Sequence, residues 1–509
     1  MELLKSRITR YRPLFDGMFP IEETMETIVP DTKPDVLRVS CASAELSVKE
    51  KTAQEGRIRI SGEARVRIFY CPEDGGKLCA AECIVPFSGS VDVPGSDARS
   101  EICASCELVS VDANMVNSRK LGVRVRICAH ARVYCATEES YVCGVTADPE
   151  DEVNTLVEKM EQTVIVGMTE RRISVSEDIR LSGSAVTATD RLYRCEVAYV
   201  TDDLRVLTNK IMLRGSMKVR AFAIAESGIL VNTNSYMIPF SQVIDSVACE
   251  IGDTVEVDYQ LMRCEARLMS KQEEGVYLAC EIQSNATVMV SRSVPVEILS
   301  DLYSTAFITE TEAVEVMAPV AQEKNRYDIP IDACLRPDYP AIRIADCSFV
   351  CELGEWCVRD EALRGFVCVR ILYETTTGAL CCINKRIPIE CMLDTPMCQG
   401  DRAELSCGDV KAVCGSDGEI TVKGTAVFFT IKQKTRKVQQ VSKCRIDKKA
   451  PKVSAARNKL VLRCLEENET VWTVAKKHNT TTARILAANR VASESELTGG
   501  ALIIIPPSK

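Results

Sequence analysis

The sequence predicts a mostly β protein, with three tandem β-sandwich or open-barrel-like domains followed by a small α+β (βααβ) domain. Three observations predict it. One pattern of strand and punctuation recurs three times along the chain. Within each recurrence, alternating runs are broken by turn residues about every 8 to 12 positions, the spacing of sandwiches and barrels rather than of a parallel sheet. The end of the chain then changes to helical spacing held between two short apolar runs.

The first repeat opens at Gly62 with Glu63-Ala64-Arg65-Val66-Arg67-Ile68-Phe69-Tyr70, and Pro86-Phe87 follows 24 residues after the glycine. The second opens at Gly215 with Ser216-Met217-Lys218-Val219-Arg220-Ala221-Phe222-Ala223, and Pro239-Phe240 again follows after 24. The third opens at Gly365 with Phe366-Val367-Cys368-Val369-Arg370-Ile371-Leu372-Tyr373, and Pro388-Ile389 follows after 23. Each repeat ends in further strand-like runs, clearest at Gly122 to Ala129, where Val and Ile alternate with Arg at the period of a half-buried strand. The repeat is far too long for a solenoid unit, so each should hold its own core. The domains are placed at 1–148, 149–306 and 307–442, with a basic linker at 443–457 and a last domain at 458–509. A helical stretch is expected around Asn154 to Gln162.

The last domain reads strand, helix, helix, strand. Leu460 to Leu465 is apolar; Thr470 can cap a helix carrying Val471, Val474 and Ala475; Thr481 or Thr482 can cap a second carrying Ile485 and Leu486. Ala501 to Ile505 is a short branched run stopped by Pro506 and Pro507, as a buried strand would be. Helices this short need the strands behind them.

Charge is uneven. From Lys432 onward the chain holds 17 basic and 6 acidic residues, a net +11, which leaves −20 on residues 1–431 out of the whole chain's −9. The basic run carries few aromatics, so a nucleic-acid stacking surface is not indicated. Its later part reads as a linker that leaves the last domain mobile. No apolar run approaches the length of a transmembrane segment. The start, Met1 to Arg7, lacks the apolar core of a signal peptide, which places the chain in the cytoplasm. There a disulfide framework is not expected from the 26 cysteines, many of which, such as Cys128, Cys280, Cys347, Cys351 and Cys368, sit in alternating stretches as small hydrophobes.

The last domain resembles a LysM domain: Thr470, Trp472, Ala475, Asn489, Gly499, Leu502, Ile504 and Pro506 match the family pattern by position. It departs where Asn468-Glu469 replaces Gly-Asp in the first loop and Thr498 replaces the proline before the late glycine. The repeats, with phrases such as Ile28-Val29-Pro30-Asp31-Thr32-Lys33-Pro34-Asp35 and Tyr327-Asp328-Ile329-Pro330, look like the SPOCS domain of spore-former proteins. Tandem SPOCS domains before one LysM domain is the layout of a family of clostridial spore-coat morphogenesis proteins. The resemblance implies a mother-cell protein at the forespore surface. Its LysM domain would bind the morphogenetic ATPase that coats the forespore, and its β domains would bind other coat proteins or self-associate. The binding loops would present Asn468, Glu469, Thr470, Asn489 and Arg490. The other LysM ligand, a peptidoglycan, stays open as the alternative, although both glycan-binding loops are altered.

Chemistry-bearing motifs are few. There is no phosphate-cradling Gly-Lys-Ser/Thr loop, no Gly-x-Ser-x-Gly and no His-Glu-x-x-His, so no enzymatic activity and no cofactor are expected. Two histidines exist: His130 on the polar face of an alternating strand, and His478 at a helix end where a cation suits the dipole. Cys79, Cys83, Cys103 and Cys106 are weak candidates for a tetrahedral zinc, set against chance spacing in a cysteine-rich chain. Trp472 is expected in the core rather than in a sugar-stacking role.

Overall fold

The computed structural model describes residues 1–507 apart from 183–185, 188, 226–227, 246–247, 272–274, 399–400, 453–459 and 468. One strand topology occurs three times. The first module contains β1 (Glu2–Ile28), β2 (Val36–Gln54), β3 (Arg57–Pro72), β4 (Cys79–Asp92), β5 (Glu101–Asn117) and β6 (Lys120–Thr146). They form two antiparallel sheets, ordered β2-β3-β4 and β1-β6-β5, over one apolar core. The second module contains β7 (Val153–Arg180), β8 (Arg191–Leu207), β9 (Lys210–Ile224), β10 (Leu230–Asn232), β11 (Tyr236–Asp245), β12 (Thr254–Lys271) and β13 (Gly275–Ser304). Its sheets run β8-β9-β11, with β10 beside β9, and β12-β13-β7. The third contains β14 (Phe307–Leu335), β15 (Ala341–Leu353), β16 (Ala362–Thr375), β17 (Leu380–Met392), β18 (Arg402–Cys407), β19 (Lys411–Cys414) and β20 (Ile420–Pro451). Here β15-β16-β17 faces β14-β20-β18, with β19 also on β20. Among the described residues no sheet closes on itself, so each module is a pair of open sheets around a shared core.

The repeated punctuation has a packing cause. Gly62 lies opposite Phe87, and Gly215 opposite Phe240, in the register of the neighbouring strand. A Cβ on Gly62 would stand 2.2 Å from the Ser47 carbonyl oxygen and 2.6 Å from the tip of the Phe87 ring. On Gly215 the distances are 2.5 Å to the Val200 oxygen and 2.6 Å to the Phe240 ring. The ring covers a site that only glycine leaves open, a known way of filling the gap in a strand. In the third module Ile389 is opposite Gly365 and Leu405 fills the space, 2.7 Å from the same hypothetical Cβ.

The first and last strands of each module pair with each other: β1 with β6, β7 with β13, β14 with β20. These ribbons run on beyond the sandwiches and pack together as a stalk. Ile8 and Tyr141 of the first, Val164, Val296 and Ile298 of the second, and Ala318 and Val438 of the third share one buried cluster. Each ribbon has a bulge on its first strand, at Leu14, Val166 and Val320, where pairing skips one residue. Each has a second on its last strand, at Cys143, Ser300 and Ser442. Bulges bend and overtwist a strand, which changes the path of each ribbon where the three pack together.

At the sandwich end the modules meet around Phe69, Phe222 and Leu372, each seven residues beyond its module's glycine. The residues opposite them are Cys41, Arg194 and Asp346. Arg194 donates to both Asp346 oxygens at 2.9 and 2.7 Å and lies over the Phe222 ring.

Two expectations are corrected. Residues 154–162 are strand, not helix: Asn154 pairs with Tyr303 and Gln162 with Val294 within the second ribbon. The apolar trio Leu156, Val157 and Met160 fits helical spacing, but a partner strand of matching length overrides local pattern. Residues 443–451 are strand, not linker, and only 453–457 of the expected linker fall outside the described residues. The basic residues of β20 face acids on neighbouring strands: Lys434 with Glu323, Lys437 with Glu315 and Lys443 with Glu312, all at 2.8 Å. Arg436 reaches Glu158 at 2.9 Å and Lys448 reaches Asp148 at 2.7 Å. The charge run belongs to the stalk.

Candidate functional site

The C-terminal unit is built from β21 (Val461–Cys464), α1 (Val471–Lys477), α2 (Thr482–Asn489) and β22 (Leu502–Ile505). The two strands pair antiparallel, and Leu465, Val471, Trp472, Val474, Ala475, Ile485, Ile503 and Ile505 form its core. Thr470 caps α1, its hydroxyl accepting from the Thr473 amide at 3.2 Å while the Thr473 hydroxyl accepts from the Thr470 amide at 3.0 Å. Thr481 caps α2 in the same way, accepting from the Arg484 amide at 3.2 Å. Arg490 ends α2 at φ 56°, a left-handed cap.

The residues expected on the binding loops divide by what they do. Glu469 is held by the Arg463 guanidinium and is mostly buried. Thr470 is the cap. Asn489 ties α2 to β22: its amide donates to the Ile485 and Ile504 carbonyls, and its oxygen accepts from the Ile504 amide, all at 2.7 Å. Arg490 is exposed. Asn468 lies outside the described residues. The first loop and the late loop adjoin: a Cβ on Gly499 would come within 2.8 Å of the Glu467 Cα, and the Gly500 amide donates to the Leu465 carbonyl at 2.7 Å.

The unit is docked on the stalk, which corrects the expectation of a mobile domain. The Trp472 indole N–H donates to Asp301 Oδ2 at 2.8 Å. The Lys476 ammonium, one turn further on α1, donates to both Asp301 oxygens at 2.7 and 2.8 Å. Tyr303 meets Trp472 edge-on with ring centroids 4.9 Å apart and donates to the Thr480 carbonyl at 2.7 Å. Burial and the Asp301 charge push the Tyr303 phenol up to about 12, so it stays a donor at neutral pH. Trp472 is buried, as expected, but partly against another part of the chain. A polar gap of about 270 Å³ remains beside the dock, lined by Glu152, Asn154, Thr305, Asn479, Thr480 and Arg484 among others. Sequence reasoning missed Asp301 and Tyr303. A usable signal existed, since Asp301 is a single carboxylate between Leu299 and Leu302 in an apolar run.

One histidine differs from its reading, and the other, His130, lies on the polar face of β6 as expected. Burial, Arg463 and Lys477 hold His478 below the ordinary imidazole range, so the neutral ring is favoured at the helix end and the cap is the backbone bond to Val474. His130 Nε2 stands 3.1 Å from the buried Asp16 carboxylate, which also accepts from Arg402 at 3.3 Å. Asp16 and Arg402 border a cleft of about 690 Å³ between the first and third modules, with Phe15, Phe19, Trp356 and Phe366 in its walls. None of the expected partner-binding residues lines it.

The four candidate zinc cysteines are not brought together. Cys79 and Cys83 lie four apart on β4, and Cys103 and Cys106 three apart on β5. Strand geometry sets such pairs about 13 and about 10 Å apart, against a Zn–S distance of about 2.3 Å. Cys103 is occupied otherwise, 3.1 Å from the Asp258 carboxylate. Among the described residues no three His, Cys, Asp or Glu side chains are placed to share a metal ion. Among them also, no helix is long and apolar enough to cross a membrane.

These features define a mostly β, repeated-module protein with a small docked helical unit. Residues 35–116, which include β2 to β4 and nearly all of β5, match the family described as SipL, SPOCS domain. The match gives the chain a sporulation-related, coat-associated character. No curated protein and no solved structure matches the chain.

Proposed function

We propose that this chain is a SipL-like scaffold of spore-coat morphogenesis, acting in the mother cell at the forespore surface without catalysis or a cofactor. All three modules are SPOCS-like in this reading. The C-terminal unit is a LysM domain that docks on the morphogenetic ATPase coating the forespore. The β modules engage other coat proteins or further copies of the chain, so that the coat encases the forespore.

The observation that carries the reading is the SPOCS match at 35–116. Two features of the C-terminal unit support a protein ligand. Glu469 and Asn489 are engaged in the unit's own fold, which removes two polar groups a sugar would need. Arg490 stands exposed on a left-handed cap, where a fixed backbone presents a cation.

The test offers the full-length protein the forespore-coating ATPase and purified peptidoglycan in parallel. Capture of the ATPase is expected, abolished by removing 458–509 and weakened about tenfold by Arg490→Glu, the loss of one charged contact. Capture of peptidoglycan alone would replace the adaptor by the wall-binding alternative. A truncated protein that still encircles the forespore in cells would remove the docking role.

A further inference from the structure

Twenty-six cysteines, all free thiols, are spread over this chain. One pair stands apart by geometry. Cys351 lies on β15 and Cys407 ends β18, in the two facing sheets of the third module. Their sulfurs are 3.0 Å apart across 56 residues of chain. Non-bonded carbons settle at about 3.5–4.0 Å, and sulfur is larger, so this is already closer than ordinary packing. A disulfide needs about 2.05 Å, roughly 1 Å less.

We propose that Cys351 and Cys407 form a thiol-oxidation site that closes to a disulfide when a peroxide reaches the third module. The two partners differ in access. Cys351 is buried in the module's core, whereas Cys407 is partly exposed at a strand end, beside the loop that begins at Gly408. Cys407 therefore meets the oxidant. Either sulfur of the pair can donate; once Cys407 loses its proton the S–H of Cys351 donates to the thiolate, which holds the Cys407 thiol below its usual range, while the same bond and burial push Cys351 up. The Cys407 thiolate attacks the peroxide O–O bond and becomes a sulfenic acid, releasing hydroxide or alkoxide. Cys351 then gives up its proton and its sulfur attacks the Cys407 sulfur, expelling hydroxide, which leaves as water. Two thiols and one peroxide yield one disulfide, one water and one alcohol, or two waters from hydrogen peroxide.

The bond would tie the two sheets of one module across a long loop, restricting the unfolded chain. In a reducing compartment the pair stays open, so the link is conditional on oxidant.

The test treats full-length protein with hydrogen peroxide, alkylates remaining thiols under native conditions, digests it and maps linked peptides with fragmentation that separates Cys351 from Cys347 and Cys357. A reducible Cys351–Cys407 bond is expected, with a raised Tm that dithiothreitol reverses. Cys351→Ser and Cys407→Ser should each lose both the linked peptide and the Tm rise. Protection of the buried Cys280 from alkylation reports that each variant is folded. The proposal is overturned if both thiols are alkylated once the oxidised protein is denatured, or if the linked peptide survives in either serine variant.

Discussion

Asp301, next to the bulge at Ser300, accepts from Trp472 and from Lys476. The carboxylate is three-quarters buried, so its charge is screened less than a surface acid's. Asp301→Asn keeps the shape and removes the charge. It should lower the stability of the C-terminal unit by about 1–2 kcal/mol, the range for a partly exposed bond to a charged group. The chain has two tryptophans, so Trp472 fluorescence in a Trp356→Phe background reads the transition directly. An unchanged transition would mean that the apolar contact with Tyr303 suffices for docking. At this scale the resemblance to the LysM pattern implied a core place for Trp472, and the side chain is buried. The sequence could not show the far side of the contact, since Asp301 is 171 residues away and nothing local ties the two. The same limit explains Asn489. Its place beside a helix end reads as loop chemistry, and only the return of β22 reveals three bonds that close the unit.

Among elements, the recurring glycine followed by Pro-Phe was the most informative sequence signal, and its cause is a ring lying over a bare Cα. Alanine at Gly62, Gly215 or Gly365 would drive a methyl into a neighbouring carbonyl oxygen as well as into the covering side chain. Overpacking of this kind costs about 1–3 kcal/mol, or more when the obstacle is backbone. Urea unfolding of the three single variants should show the largest loss for Gly62→Ala, where the oxygen stands at 2.2 Å, and the smallest for Gly365→Ala, where it stands at 2.7 Å. Equal midpoints for all three and the parent chain would remove this account of the motif. The ribbons were harder to read. The acids of β14 and the bases of β20 are more than 100 residues apart in sequence, so the basic run looked like an unattached linker. Bulges leave no residue signature here: Leu14, Val166 and Val320 share only an apolar side chain, and Cys143, Ser300 and Ser442 only small size.

Across the whole molecule, three copies of one topology are joined by contacts that are not copies of each other. At equivalent places around the shared cluster stand Cys41, Arg194 and Asp346. Three identical residues there would put three like charges or three small side chains together. Instead one cation faces one anion, with both side chains at most 15% exposed. Arg194→Asp leaves Asp346 buried beside a second acid and should cost about 3–5 kcal/mol, the loss on breaking a buried pair. The double reversal Arg194→Asp with Asp346→Arg should recover part of it, and a double-mutant cycle in thermal unfolding measures how much. Additive losses with no recovery would mean that the pair does not hold the second and third modules together. The threefold recurrence was legible from period and punctuation. Which module touches which was not, because it is decided by single side chains on sheet faces that look alike in sequence.

The three ribbons also give the molecule a direction. Every connection between modules, at 146–153 and 304–307, lies at the free end of the stalk, as do the first residue of β1 and the dock of the C-terminal unit. The stretch of β1 before its bulge at Leu14 is about 12 residues, roughly 40 Å of extended chain. A chain held through its C-terminal unit would therefore stand upright, with its sandwiches lifted about that far from the support. Many such chains side by side would make a layer whose thickness is written in the length of a strand.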